Sequence, residues 1–253
     1  MPPSFRSVIL DEIDSTNRDA FQRAEAGEVG PLWIMARRQT AGRGRSGRQW
    51  ASEPGNLYAS LLVKLACSPA VVPQLSLLAG VAVVDAIAQA AGGVAPGLRL
   101  KWPNDVLIGQ AKCAGVLAES ISGHDAVTAV VGTGLNLAWH PTDLDRAATN
   151  LAEHGVRVSP DVMLGLLAAA VQHWLAVWEC GKGFAQVRSA WLERAGPVGE
   201  GCSVHTGAER IEGIFVGLDS GGALLMQDRE GRQRSIAFGD VMLATADAGD
   251  ASR

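Results

Sequence analysis

Tyrosine occurs once in this chain, phenylalanine five times and cysteine four times in 253 residues. Such a scarcity of aromatics, with no RNP-type pattern, counts against an RNA-reading surface, which stacks bases on such rings. Cys67, Cys113, Cys180 and Cys202 lie far apart, form no CxxC pair and share no zinc-ligand spacing with a histidine. Neither a disulfide framework nor a zinc site is therefore expected. A basic excess is also missing: net charge −4 and pI near 5.7 leave no overall field to hold DNA or an anionic membrane. Long apolar runs are missing too, since Val81–Ala91 is interrupted by Asp85 and Gln89. The first 20 residues carry Asp11, Glu12 and Asp14 around no apolar core, so no signal peptide is visible. These absences predict a cytoplasmic protein without membrane or DNA as partner.

What is present is a globular composition, 47% hydrophobic with 30 glycines. Short β-like runs are expected at Ser7–Leu10, Leu32–Ala36, Asn56–Leu65, Gly97–Lys101, Asp105–Ile108, Cys113–Ile121 and Val127–Leu137. Short turns between the later ones predict antiparallel hairpins. Asp14–Ser15–Thr16 offers cap oxygens to a helix reaching about Ala26. Apolar residues at 75, 78, 79, 82, 83, 86, 87 and 90 repeat with helical period until Gly92–Gly93. Ser159–Pro160 starts a second strong helix, with Met163, Leu166, Leu167, Ala170, Val171, Trp174 and Trp178 as its buried face. A shorter helix spans about Ala185–Arg194. After Gly196–Pro197 come only short runs, Ser203–His205, Arg210–Gly217, Ala223–Gln227 and Gln233–Phe238, with tight turns between them, which suggests a small β-barrel. The fold class is α+β: a mixed, largely antiparallel sheet packed with helices at 1–196, a β module at 197–246 and a disordered tail at 247–253.

Two segments carry chemistry. In Gln39–Trp50 (QTAGRGRSGRQW), three arginines and three glycines alternate within an acidic chain. Glycines let backbone N–H groups approach an anion, and arginines add forked, permanently charged donors. Alone, such a stretch is equally the sequence of a solvated loop or an RGG-like patch. Lys101–Asp105 (KWPND) puts Asn104 and Asp105 at a proline-fixed kink, where they could meet Mg2+ on a triphosphate or ribose hydroxyls. Alone, Pro-Asn-Asp is an ordinary turn. Lys112–Glu119 (KCAGVLAE) begins with a lysine that either snorkels or clamps an anion. Gly132–Asn136 (GTGLN) is too short for a dinucleotide fingerprint.

Together with Ser15–Asn17 (STN), these segments resemble, in order and spacing, the catalytic domain of biotin–protein ligases, over residues 8 to 140. The 50-residue C-terminal run is similar to the SH3-like β-barrel of that family, and the implied fold is class II synthetase-like. The resemblance implies ATP-dependent formation of biotinyl-5′-AMP with release of pyrophosphate. Biotin would then pass to a lysine of a biotin carboxyl carrier protein. It assigns Ser15, Thr16, Asn17 and Gln39 to the biotin ring, and Arg43, Gly44, Arg45, Lys112 and Gly115 to biotin and its activated carboxylate. Arg48, Trp50, Asn104, Asp105 and Asn136 would face the nucleotide. Arg45, Lys112 and Asp105 would act in catalysis, with Asp105 as proton acceptor or orienter for the attacking amine. Gly132 and Gly134 would permit close backbone approach. Mg2+ would be carried by the triphosphate, with Asp105 as the one protein group beside it and no dedicated metal site. Some members of the family carry an N-terminal repressor domain, and the first strand here begins too early to leave room for one. Monomer and homodimer both remain open.

Two rivals accompany this reading. A lipoate– or octanoate–protein ligase or transferase would share the fold but accept a flexible apolar chain. A non-catalytic RNA- or nucleotide-binding protein would use only the Gly/Arg loop and Trp50.

Overall fold

The computed structural model describes residues 5–93, 95–123, 126–144, 146–207 and 209–243. The chain divides into two compact units, Met1–Ala195 and Gly196–Arg253.

The first unit opens with strand β1 (Arg6–Ile13), helix α1 (Thr16–Glu25) and strand β2 (Leu32–Gln39). Because a helix intervenes, β1 and β2 pair parallel. Strand β3 (Leu57–Leu65) precedes helix α2 (Gln74–Ala91), and strands β4 (Leu98–Lys101), β5 (Asp105–Ile108), β6 (Ala111–Ser122) and β7 (Val127–Leu135) follow. All other neighbours are antiparallel, in the sheet order β1-β2-β3-β7-β6-β5-β4. Helices α3 (Pro160–Trp178) and α4 (Phe184–Glu193) close the unit. Ser159 caps α3 by accepting from the Val162 N–H, and Gly92 ends α2 in the left-handed conformation.

Alternation along the paired strands sorts the side chains onto two faces. On one face, Ala20 of α1 packs on Leu32, Ile34, Leu62 and Val130. On the other, Gly80 of α2 lies against Leu100, and α3 and α4 pack on α2 in turn. This second layer corrects the single-face expectation for α2. The helix is buried nearly all round, including Leu77, Val81 and Val84, because the sheet takes one side and α3 and α4 another. It also shifts the buried face of α3, where Leu164 and Ala168 are buried while Leu166, Ala170 and Trp174 are only partly covered. Both α2 and the stretch Pro160–Gly181 are long and apolar enough to cross a membrane, which the sequence reading missed by stopping at Asp85. Most of α2 is buried inside the unit, whereas less than half of the second stretch is. Asp85 accepts from the Trp174 indole and binds Arg194, so its charge is compensated within the helical layer.

The second unit is an antiparallel sheet of β8 (Gly201–His205), β9 (Arg210–Leu218), β10 (Leu224–Gln227), β11 (Gln233–Ile236) and β12 (Asp240–Leu243), in the order β11-β10-β9-β8-β12. Among the described residues no ladder joins β11 to β12, so the hydrogen-bonded sheet does not close on itself as a barrel. The expected tail at 247–253 lies outside the described residues.

One buried amide ties the exit of β7 to the entrance of β3. Asn56 Oδ1 accepts from the N–H groups of Leu137, Ala138 and Trp139, and its Nδ2 donates to the Trp139 carbonyl. Asn56→Ala strands all four groups, so a stability loss of about 3 kcal/mol is expected as a lower urea midpoint at unchanged slope.

Candidate active site

Parity along the ladders puts Ser60 of β3, Gly132 and Gly134 of β7, Gly115 of β6, Asp105 of β5 and Lys101 of β4 on the face that carries α1. Beyond the N-terminus of α1, Gly115 and Gly134 carry no side chain, which leaves a trough in that face between the α1 end and Asp105.

At the α1 end the trough is lined by a buried polar cluster. Ser15, Thr16, Asn17, Ser52 and Ser60 are all buried. Ser15 occupies the cap position of α1, yet its side chain makes no cap bond. Gln39 does the capping, its Oε1 accepting from the Thr16 N–H at 2.9 Å and lying 3.1 Å from Thr16 Oγ1. Gln39 Nε2 donates to Ser52 Oγ, which donates to the Trp50 carbonyl, so Ser52 fixes which way round the amide sits. Ser60 Oγ lies 2.7 Å from Thr16 Oγ1 and donates to Asn17 Oδ1. Asn17 Nδ2 donates to Glu119. Gly132 is needed here, because a Cβ there would stand 2.2 Å from Asn17 Oδ1.

The Gly/Arg loop folds over the middle of the trough. It is pinned by bonds from Trp50 N to the Gly42 carbonyl and from Gly44 N to the Arg48 carbonyl, with a turn at Arg45–Gly47. The Trp50 indole lies on the cross-strand pair Gly115 and Gly134: a Cβ at Gly134 would sit 2.4 Å from its Cε2. The Trp50 Nε1–H is buried without a hydrogen-bond partner. Lys112 Nζ lies 5.2 Å from the ring centroid, within cation–π range. Arg43 departs from its expected anion-binding role, since its guanidinium is engaged by both oxygens of Glu119 and fastens the loop to β6.

The far end is charged. Asp105, 5% exposed, receives Lys112 Nζ at 2.5 Å and Lys101 Nζ at 3.1 Å, with Arg146 at 4.0 Å. Burial alone would raise the Asp105 carboxyl, but the charges and hydrogen bonds of Lys112 and Lys101 overcome it and hold the group at about 2. Burial lowers the Lys112 amine from its ordinary value; Asp105 opposes this, while Arg146 and Lys101 add to it. Asn104 donates to the Val116 carbonyl and accepts from Arg45 at 3.3 Å, which brings the loop to the KWPND turn. That turn joins β4 to β5, as the turn reading of the segment expects.

These residues build no all-protein cage for a metal. Among the described residues no three His, Cys, Asp or Glu side chains converge to hold one, and both Asp105 oxygens already face ammonium groups. Asp105 is equally ill-suited as a proton acceptor, since a carboxylate held at about 2 is a weak base near neutral pH. Cys113 is buried, donates to the Val106 carbonyl, and burial pushes its thiol up to about 12, so it is packing and not a nucleophile.

Residues 10–136 match the biotin/lipoate A/B protein ligase family, and residues 198–243 match the biotin protein ligase C-terminal domain. The chain belongs to this ligase family. It is 41% identical to the biotin--[acetyl-CoA-carboxylase] ligase of Paracoccus denitrificans, over 89% of this chain and 95% of that one. The solved biotin protein ligase of Aquifex aeolicus in complex with biotin and ATP is 30% identical, with a TM-score of 0.77 over 94% of this chain and 98% of that one. The Leishmania major ligase in complex with biotinyl-5-AMP is 25% identical, with a TM-score of 0.63 over 94% and 100%.

Ser15, Thr16, Asn17, Gln39, Trp50, Asp105, Lys112 and Gly115 lie along one face of the sheet or against it, while Arg43 and Asn136 are engaged by other protein groups. Arg43 is paired with Glu119. Asn136 is buried and holds the chain past β7, its Nδ2 donating to the Thr149 carbonyl and its own carbonyl accepting from Leu151 N. Reading the sequence missed Ser52, Ser60, Glu119 and Arg146. Ser52 follows Trp50 by two positions, and Ser60 is the polar interruption of an apolar strand, so both left a trace. Arg146 left none, because it belongs to no motif. Gly134→Ala must push the indole off its platform. We expect biotin-dependent ATP–pyrophosphate exchange to fall roughly tenfold or more in kcat/KM, with the melting temperature little changed.

Proposed function

We infer that the ligase joins biotin to ATP, releasing pyrophosphate, and transfers biotin from the resulting biotinyl-5′-AMP to a lysine of a carboxylase's biotin carrier protein. The observation that carries this is the trough itself: a polar, hydrogen-bonding end at α1, a bare glycine floor under Trp50, and a cationic end around Asp105. A molecule with a polar ring, a short chain and an anionic head matches that order.

Ser15, Thr16 and Gln39 would meet the ureido ring, where donors and acceptors are already arrayed. An apolar lipoyl or octanoyl chain would offer that polar end no hydrogen bond, which disfavours the alternative. Lys112 would sit between the biotin carboxylate and the α-phosphate, neutralising two anions that otherwise repel. In adenylation a carboxylate oxygen bonds to the α-phosphorus as the bond to the β-phosphate oxygen breaks, and the electron pair leaves on pyrophosphate. Preorganised cations favour that charge movement because they need not reorient during it. Arg45, Arg48, Asn104 and the unpaired Trp50 N–H would face the nucleotide. Any Mg2+ would come with the triphosphate. In the second step a neutral carrier amine attacks the acyl carbon and AMP departs. The negative net charge supports a reading without duplex DNA as partner. Four free thiols and the use of ATP accord with a cytoplasmic location.

The test is pyrophosphate release from ATP on addition of biotin, followed by label transfer to a purified carrier domain. Release with lipoate or octanoate but not with biotin would contradict the reading. A pH dependence follows from Lys112. The bound adenylate phosphate favours its charged form, so affinity is full while the amine is protonated. It declines as pH rises through a value below the ordinary 10.5 of a lysine. Competition titrations of a non-hydrolysable adenylate analogue between about pH 7 and 10 should show this alkaline weakening in the wild type. Lys112→Arg should flatten it, since arginine stays charged; equal slopes in both would contradict the assignment.

A further inference from the structure

We propose that Arg146 is a further binding residue of the adenylation step, holding the β- and γ-phosphates of ATP and the pyrophosphate they become. The inference deepens the proposed function and rests on it. Main-chain bonds, not side-chain chance, bring Arg146 to the site. Lys112 N donates to the Ala147 carbonyl and Thr149 N donates to the Lys112 carbonyl, clamping 147–149 alongside the start of β6. Asn136 secures the far end of the same stretch through the Thr149 carbonyl.

Among the described residues, three cations, Lys112, Lys101 and Arg146, lie within 4.0 Å of the Asp105 carboxylate. The lysines, 19% and 14% exposed, take the two oxygens of Asp105 directly. Arg146 stands off at 4.0 Å with its side chain 45% exposed. It is the outermost and most solvent-facing of the three. Its position also orders the ligand. Along the trough run the Thr16 cluster, then Gly132 and Gly134 with Gly115, then Asp105 and Arg146. A ligand with its ring at Thr16 and its carboxylate at Lys112 therefore presents the departing phosphates at the Arg146 end. A forked guanidinium at that point matches two phosphate oxygens at once. As the α-phosphorus to bridging-oxygen bond breaks, the electron pair moves onto the pyrophosphate, where Arg146 meets the growing charge.

Because Asp105 keeps both lysines, removing Arg146 strands no buried charge, and Arg146→Met is expected to fold. In biotin-dependent ATP–pyrophosphate exchange, Arg146→Met should raise the KM for pyrophosphate and for ATP about tenfold, the scale of one charge-assisted phosphate contact. Calorimetric binding of biotin without ATP should stay unchanged, and Arg146→Lys should recover part of the loss. Unchanged KM values for pyrophosphate and ATP would overturn the proposal. So would an equal loss of biotin affinity, or a defect confined to the KM for the carrier. A wild-type chain that exchanges no pyrophosphate would overturn both this proposal and the reading beneath it.

Discussion

A buried carboxylate, Asp105, fixes the charged half of this active site. It stands at the first residue of β5, between Lys101 on β4 and the bare backbone of Gly115 on β6. The gap over Gly115 is where the Lys112 ammonium reaches across to it, since a Cβ on that glycine would stand 3.0 Å from Nζ. An isolated buried carboxylate would be costly, and so would an isolated buried ammonium; each makes the other tolerable. The result is a set of cations held in place before any substrate arrives, which is what a reaction between two anions requires.

The remainder of the trough follows from the same economy of side chains. Gly132 makes room for Asn17 of α1, and Gly115 and Gly134 leave the sheet face open beyond it, where the Gly/Arg loop lays the Trp50 indole. Arg43 and Asn17 both bind Glu119, so the loop, the start of α1 and β6 are joined through one carboxylate. Gln39 couples the helix N-terminus to the loop by way of Ser52. Thr16 is thereby linked mechanically to the Gly/Arg loop, through hydrogen bonds no longer than about 3 Å.

Much of this was legible in the sequence because it rests on local patterns. Helical periodicity marked α2, Ser159–Pro160 marked the start of α3, and short turns marked the hairpins of β4 to β7. The GRGR and KWPND segments, read together, marked the family. What failed did so for non-local reasons. The all-round burial of α2 depends on α3 and α4 packing behind it, which no window of one helix reveals. The protein partners of Arg43 and Asn136, Glu119 and the Thr149 carbonyl, are likewise set by the fold and not by the motifs. Asp105 was a plausible base until the structure placed two lysines on its oxygens. Arg146 depends on a loop pairing beside Lys112 that leaves no pattern in the residues themselves.

The account therefore turns on Asp105 as the anchor of Lys112 and not as a base. The measurement that tests this most directly is the separate rate of each half-reaction in Asp105→Asn, with adenylation followed by pyrophosphate release and transfer followed from preformed biotinyl-5′-AMP. Anchoring predicts slowed adenylation, with transfer near the wild-type rate. Normal adenylation with transfer lost would contradict it and return Asp105 to the role of proton acceptor.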